Sequence, residues 1–224
     1  MSDFLLPLYL TFKLATIATI VLFFIGIFIA YFLAYTHSHL RFLYEALVNI
    51  PLFLPPVVLG FYILVLFSPV SFLGKLLEYF GIKLVFNFSG LVVGSILYSF
   101  PFMVNPLVSG FRALPKSLKE AAYTLGKTKL ETFFKVLLPN MKPSILSAIV
   151  LTFVHTIGEF GVVLMIGGNI PGVTKVASIA IFDASMALNY KLANFYSLVL
   201  STVSLSVLIL VFFLNKKFVS NDRN

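Results

Sequence analysis

Five runs of this chain, roughly residues 12–36, 46–68, 87–111, 142–167 and 193–215, are apolar and each exceeds the ~20 residues that a helix needs to cross a bilayer. No polar domain is left over to bury them, because 60% of the 224 residues are hydrophobic and only 11% are charged. With a mean hydropathy of +1.05, lipid is the solvent this composition suits. The expected fold class is therefore an all-α integral membrane protein with five transmembrane helices, occupying residues 1–224 as a single domain. The chain contains no cysteine, which excludes disulfides, thiolate metal sites and iron–sulfur clusters. Met1-Ser2-Asp3 offers no cationic n-region, so the first run is expected as an uncleaved helix with residues 4–11 lying at the interface.

The formal charge of +8 could point to nucleic acid, but its distribution is topological. With the N-terminus outside, eleven of the sixteen Lys and Arg fall on inner segments: Arg41, seven between Arg112 and Lys142, then Lys216, Lys217 and Arg223. The other five, Lys13, Lys75, Lys83, Lys175 and Lys191, lie on outer segments or in the first helix. The positive-inside rule then favours N-out and C-in, with no nucleic-acid partner implied. The largest inner loop, 113–140, holds the most polar long stretch.

Within it, Gly126-Lys127-Thr128 resembles the tail of a phosphate-binding loop, but the position five before Gly126 is Ala121 and no glycine-rich turn precedes it. Leu114, Leu118, Ala121, Ala122 and Leu125 fall instead on one helical face. Pro115 suits the first turn of that helix and Gly126 its C-terminal stop. Thr128 and Glu131 make a T-x-x-E capping box that opens a second helix. Leu130, Phe133, Phe134, Leu137 and Leu138 form its apolar face, and Pro139 is expected to end it. The stretch reads as a helix–glycine–helix elbow, for docking to a cytoplasmic partner or for lying on lipid.

Two apolar runs carry residues that lipid tolerates poorly. Pro51, Pro55 and Pro56 interrupt the second, freeing backbone carbonyls that need neighbours or a pathway, although a mere kink is the plainer reading. Glu159 lies in the fourth, where a central carboxylate costs about 2.5–3.5 kcal/mol, so it must face protein or water. His155 and Glu159 are four apart, but two ligands make no metal cage and H-E-x-x-H is absent, which leaves a proton relay as one reading. Gly158 and Gly161 beside it suggest close helix contact or local unwinding. Glu159 is expected to accept hydrogen bonds from backbone N–H or hydroxyl groups, with Thr156 or a residue on a second copy of the chain as candidate donors. The outer stretch 168–192 is amphipathic rather than spanning, with a turn at Gly167 to Gly172; an ordinary surface loop is its default reading and a short helix over 174–187 the alternative.

Glu120-Ala121-Ala122, three residues, Gly126, nine residues, then Val136-Leu137-Leu138-Pro139 closely resembles the E-A-A…G…I-x-L-P signature of ABC importer permease subunits, departing only at Val136. "PPVVLG" at 55–60, "GEFG" at 158–161 and "GGNIPG" at 167–172 followed by Thr174 are similar to the molybdate/tungstate and sulfate members. The likeness runs from about residue 10 to 213, and the short length favours the molybdate type. The resemblance implies a type I ABC importer permease fold in the cell (inner) membrane. It makes Glu120, Ala121, Ala122, Gly126, Leu138 and Pro139 the coupling surface, with the alanines admitting close approach. It makes Pro55, Pro56, Gly158, Glu159, Phe160 and Gly161 the candidate gate. It also implies a second copy of the chain, two cytoplasmic ATPase subunits, an external oxyanion-binding protein and surrounding lipid as partners. ATP and Mg would sit in the ATPase, with no cofactor and no bond chemistry in this chain. Sulfate or thiosulfate permeases, a proton-coupled secondary transporter and a channel are the alternatives. No Arg lies mid-membrane to hold a dianion, so selectivity is expected in the binding protein.

The charge distribution makes a direct prediction. Single cysteines at Ser117 and Ser220 should be shielded from an impermeant thiol reagent in intact cells, whereas one at Lys175 should react. Labelling at Ser117 from outside would reverse the topology.

Overall fold

Helix α1, Leu6–Tyr35, is the post around which the other elements assemble. Its buried stripe is rich in small residues, with Ala15, Ala18, Gly26 and Ala30 facing inward between Leu14, Leu22 and Leu33. Small side chains let helix backbones approach in lipid, where apolar surface alone gives no drive to associate. At Gly26 a Cβ would meet Met103 Cγ at 2.8 Å, on α5, Phe88–Ala113. Helix α1 runs on from Leu6 without a break near residue 11. Pro7 sits in the first turn, where its missing N–H removes nothing, and Thr11 Oγ1 donates back to its carbonyl.

The computed structural model describes residues 4–221, with side chains as far as Asn215, and among these all regular structure is helical. After α1 come α2, Arg41–Phe53; α3, Pro56–Phe67; and a short amphipathic α4, Phe72–Tyr79. The chain then enters α5, the elbow helix α6, Lys116–Thr124, and α7, Lys129–Thr132. Beyond these lie α8, Lys142–Ile157; α9, Gly161–Gly167; α10, Ala177–Met186; and α11, Tyr190–Asn221. One core cluster gathers Leu22, Met103, Val104, Leu107, Phe111, Phe133 and Leu137 toward the elbow end. A second gathers Leu14, Ile63, Leu91, Val162, Ile166 and Ile179 toward the other. Lys216, Lys217 and Arg223 of the charge count lie outside the described side chains.

Two of the five expected spans are not straight. The run at 46–68 is broken into α2 and α3, bent by 109°. Leu54 precedes a proline and is pushed into extended backbone (ψ 135°), Pro55 follows with the same ψ, and Pro56 restarts the helix. This corrects the reading as a mere kink. Pro51, by contrast, is absorbed within α2. The run at 142–167 is broken at Gly158–Phe160, between α8 and α9. The two broken segments meet at glycines: a Cβ on Gly161 would lie 2.8 Å from Pro56 Cβ, and one on Gly60 2.9 Å from Val162 Cα.

The elbow's second arm also runs past its expected end. A π turn, Phe133–Leu137, and a 3-10 turn, Leu138–Met141, carry α7 through Pro139 into α8, so that Lys129–Ile157 forms one rod. The looser turn ahead of Pro139 relieves the ring's clash with the preceding carbonyls. Asn140 Nδ2 donates to Val136 O at 2.7 Å, capping one acceptor there.

The α3–α9 contact is testable. Gly60→Ala should lower stability by about 1–3 kcal/mol, because its Cβ meets backbone that cannot yield. Gly158→Ala, with no neighbour nearer than 3.8 Å, should stay within about 0.5 kcal/mol of the parent. Thermal unfolding of the purified chain in detergent reads both, and equal midpoints for the two variants would remove the close-contact account.

Candidate functional site at the elbow and the broken helices

Leu114 and Pro115 are extended, so the chain turns sharply out of α5 before α6 begins at Lys116. At the far end of α6, Gly126 has φ +75°, Gly126 N–H donates to Tyr123 O, and Lys127 N–H to Ala122 O at 3.0 Å. This is the Schellman arrangement, which closes the last carbonyls of a helix and needs a residue at ease with positive φ. Thr128 then caps α7: Glu131 N–H donates to its hydroxyl, and Thr128 N–H to Glu131 Oε2, both at 3.2 Å. Lys135 Nζ completes the corner at 3.0 Å from Glu131 Oε1.

The elbow has two faces, and the apolar residues divide between them. Leu114, Leu118 and Leu138 turn inward onto Phe111, Phe133 and Leu137, while Lys119 Nζ stands over the Tyr35 ring, 4.2 Å from its centroid. Leu125, Leu130 and Phe134 point away, 78%, 69% and 53% exposed. Their assignment to the same packed faces as Leu118 and Leu137 is therefore corrected. The two arms fold against each other, and each arm's apolar arc is wider than its neighbour can cover. Ala122 is buried against the elbow itself, which corrects the expectation that both alanines face a partner; Glu120, Ala121, Gly126 and Pro139 are exposed. The Glu120 carboxylate takes part in no ion pair among the described residues.

At the break between α8 and α9, Gly158, Glu159, Phe160 and Gly161 line one cavity of about 470 Å3 with Pro56, Tyr98 and His155. Pro55 stands at the bend but not in the lining. Glu159 is 4% exposed, and neither carboxyl oxygen has a hydrogen-bond partner among the described residues. The expected bond from Thr156 does not form, because its hydroxyl is held by Thr152 O and Ser99 Oγ, both at 2.9 Å. The backbone of Glu159 is satisfied instead, its N–H by Thr156 O and its carbonyl by Ser178 Oγ at 2.6 Å. His155 stacks on Phe102 and places Nδ1 2.9 Å from Ser99 Oγ, turned to a hydroxyl rather than to Glu159. Ser99 and Ser178 are not legible as site residues, since isolated serines in apolar helices carry no spacing signal.

The opposite end of the bundle holds a larger recess, about 740 Å3, lined by Phe4, Pro171, Lys175, Asp183 and Tyr196 among others. Its one lysine is paired with Asp183, which also accepts from Asn169 Nδ2 at 3.0 Å. Burial pushes the Asp183 carboxyl up, but the bonds from Lys175 and Asn169 outweigh it and leave the group below its usual range.

The sequence matches the family described as "Binding-protein-dependent transport system inner membrane component" over residues 10–221. It is 46% identical over 186 residues to the molybdenum transport system permease protein ModB of Azotobacter vinelandii, covering 83% of this chain and 82% of that one. It is 32% identical to a putative molybdenum transport system permease protein, YvgM, of Bacillus subtilis, over 96% and 95% of the two chains. The sulfate transport system permease protein CysT of Salmonella typhimurium is 35% identical over 80% of this chain and 64% of its own length. In structure, the inward-facing MetNI methionine ABC transporter superposes with a TM-score of 0.74 over 94% of both chains at 17% identity, a likeness of fold. An elbow with an exposed apolar face, broken helices packed at glycines, and this match over nearly the whole length lead to one conclusion: the chain belongs to the binding-protein-dependent transport system inner membrane components, as a multi-pass permease subunit with the all-helical ABC permease fold.

Proposed function

We propose that this permease forms the pathway of an ATP-driven importer for a tetrahedral oxyanion of the molybdate and tungstate class. Two copies work together, N-termini outside, and each docks a separate ATPase subunit on its elbow while a binding protein delivers the anion from the far side. ATP and Mg belong to the ATPase, and this chain does no bond chemistry. The observation that carries the reading is the elbow: a glycine-closed corner, anchored inward by Leu118 and Phe133, holds Leu125, Leu130 and Phe134 out beside Glu120 and Ala121. Apolar residues exposed in a polar loop suit a protein partner. The relatives named for molybdenum transport support the substrate class. Nucleotide closure of the ATPase pair would move the elbows, and the broken helices would convert that movement into alternation between two states.

Two predictions separate this reading from its rivals. Leu125→Asp should leave insertion and expression unchanged but abolish co-purification of the ATPase and ATP-driven molybdate uptake in proteoliposomes. Gly126→Val should do the same through the corner itself, since a β-branched residue at φ +75° is strained. Normal uptake in both variants would reduce the elbow to a lipid-surface hairpin.

The cavity at Glu159 favours one competing reading, a proton-coupled carrier, because a buried carboxyl without a partner sits beside His155. Glu159→Gln keeps the shape but cannot ionise, and should retain most ATP-driven uptake, whereas Glu159→Ala should lose most of it. If Gln proves as inactive as Ala, and an imposed proton gradient drives uptake without ATP, the carrier reading replaces the importer.

A further inference from the structure

At the elbow end, α1, α2 and α5 enclose a recess of about 180 Å3, lined by Glu45, Asn49, Asn105, Ser109 and Arg112. Water takes about 30 Å3 per molecule, so this is room for roughly six waters or one small oxyanion. Leu33, Val48 and Val108 complete the lining, the Glu45 and Arg112 side chains are 39% and 37% exposed, and none of the gate or coupling residues lines the recess.

Its charges are arranged unequally. Glu45 Oε1 receives two guanidinium groups, Arg41 Nε at 2.9 Å and Arg112 Nη2. Two cations share one anion, which leaves the cluster with a net positive charge. The two ion pairs differ in kind. Arg41 and Glu45 are four apart on the same helix, a local pair that survives any shift of α2. Arg112 reaches across from the last turn of α5 and also donates to Leu33 O at 3.3 Å. Among the described residues, its Nε and Nη1 donate to no protein acceptor. Opposite lie further donors: Asn105 Nδ2 spends one hydrogen on Asn49 Oδ1 at 2.7 Å and keeps its second, and the Ser109 hydroxyl has no protein partner. A guanidinium fork with free donors, an amide and a hydroxyl around a small recess form a donor-rich set for a tetrahedral anion.

We propose that this recess is a binding station for a tetrahedral oxyanion dianion, in which Arg112 exchanges Glu45 for the anion while Glu45 stays with Arg41. A dianion presents twice the charge of the carboxylate and four acceptor oxygens, so it competes for Arg112 on both counts. The identity of that dianion as the transported one rests on the importer reading; the site itself does not. Its position gives it a consequence, since Arg112 is followed at once by Ala113 and Leu114, where the chain turns into the elbow. An anion leaving toward the ATPase side would pass a group covalently continuous with the coupling corner.

The exchange makes the two partners' substitutions act with opposite signs. The full chain, purified into discs of zwitterionic lipid without the ATPase, is titrated with sodium tungstate by calorimetry. Saturable binding is expected in the parent. Glu45→Gln frees Arg112 of its competitor and should tighten binding about tenfold, whereas Arg112→Gln should weaken it at least tenfold. Arg112→Lys keeps the charge without the fork and should fall between, which guards against a variant that merely misfolds. If the cluster is only a brace between α2 and α5, Glu45→Gln and Arg112→Gln lower thermal stability alike and neither binds tungstate, and the proposal fails. Discs doped with an anionic phospholipid distinguish a soluble ion from a lipid phosphate: unchanged tungstate affinity is expected, and loss of binding to the lipid overturns the station. Uptake assayed separately keeps the two readings apart, because ATP-driven molybdate import with no tungstate binding in the discs would sink this site alone.

Discussion

A helix broken at membrane depth exposes backbone groups that lipid cannot satisfy. This chain breaks two helices, and the rest of the structure follows from how it answers that constraint. Leu54 N–H still finds Ile50 O, and Gly158 and Glu159 N–H find carbonyls of the last turn of α8. The Glu159 carbonyl takes help from outside its own segment, from Ser178 Oγ of α10. The breaks are also placed against each other. Gly60, Gly161 and Pro56 bring α3 and α9 to within backbone contact, so each interrupted element shields the other from lipid. Larger residues there would separate them and admit solvent or acyl chain to the open ends.

The elbow illustrates a second constraint, the mismatch between an amphipathic pattern and the surface available to cover it. Both arms have apolar arcs, but α6 and the turn at Phe133–Leu137 can cover only the parts that face each other and α1. What remains is a patch of Leu125, Leu130 and Phe134. The corner itself is over-determined by local chemistry, with the glycine turn, the Thr128–Glu131 box and the Lys135 pair all agreeing. A surface proposed to transmit force would benefit from that agreement between local preferences and overall geometry.

The sequence made the elbow legible because every device in it is local. Glycine stop, capping box and helix start each act within four residues, and single-sequence patterns register that range. The bend between α2 and α3 was only half legible. Pro55 and Pro56 announce an interruption, but whether the chain kinks or turns through 109° depends on α9 lying against Gly60, which no local pattern encodes. The end of α7 was misjudged for a related reason: Pro139 is a local stop signal, overridden by a π turn and by Asn140. Glu159 could be picked out by its cost in lipid, yet its surroundings could not, because Ser99 and Ser178 arrive from α5 and α10. The Arg112–Glu45 pair joins residues 67 positions apart and left no trace in the pattern at all.

The rod Lys129–Ile157 has a mechanical meaning. It begins at the elbow and ends at the residue before the break, so one element touches both the elbow corner and the Glu159 cavity. At about 1.5 Å per residue its 29 residues span roughly 40 Å, the full depth of a bilayer. Such a lever, pivoting near one end by about 10°, sweeps its far tip through roughly 7 Å. The π and 3-10 turns near its base interrupt the α-helical hydrogen-bond ladder, and 3-10 geometry makes the poorer bonds, so bending would concentrate there. Motion imposed at the corner would then divide between flexing at the root and displacement at the tip, with the stiffness of the nine residues Phe133–Met141 setting the gearing between them.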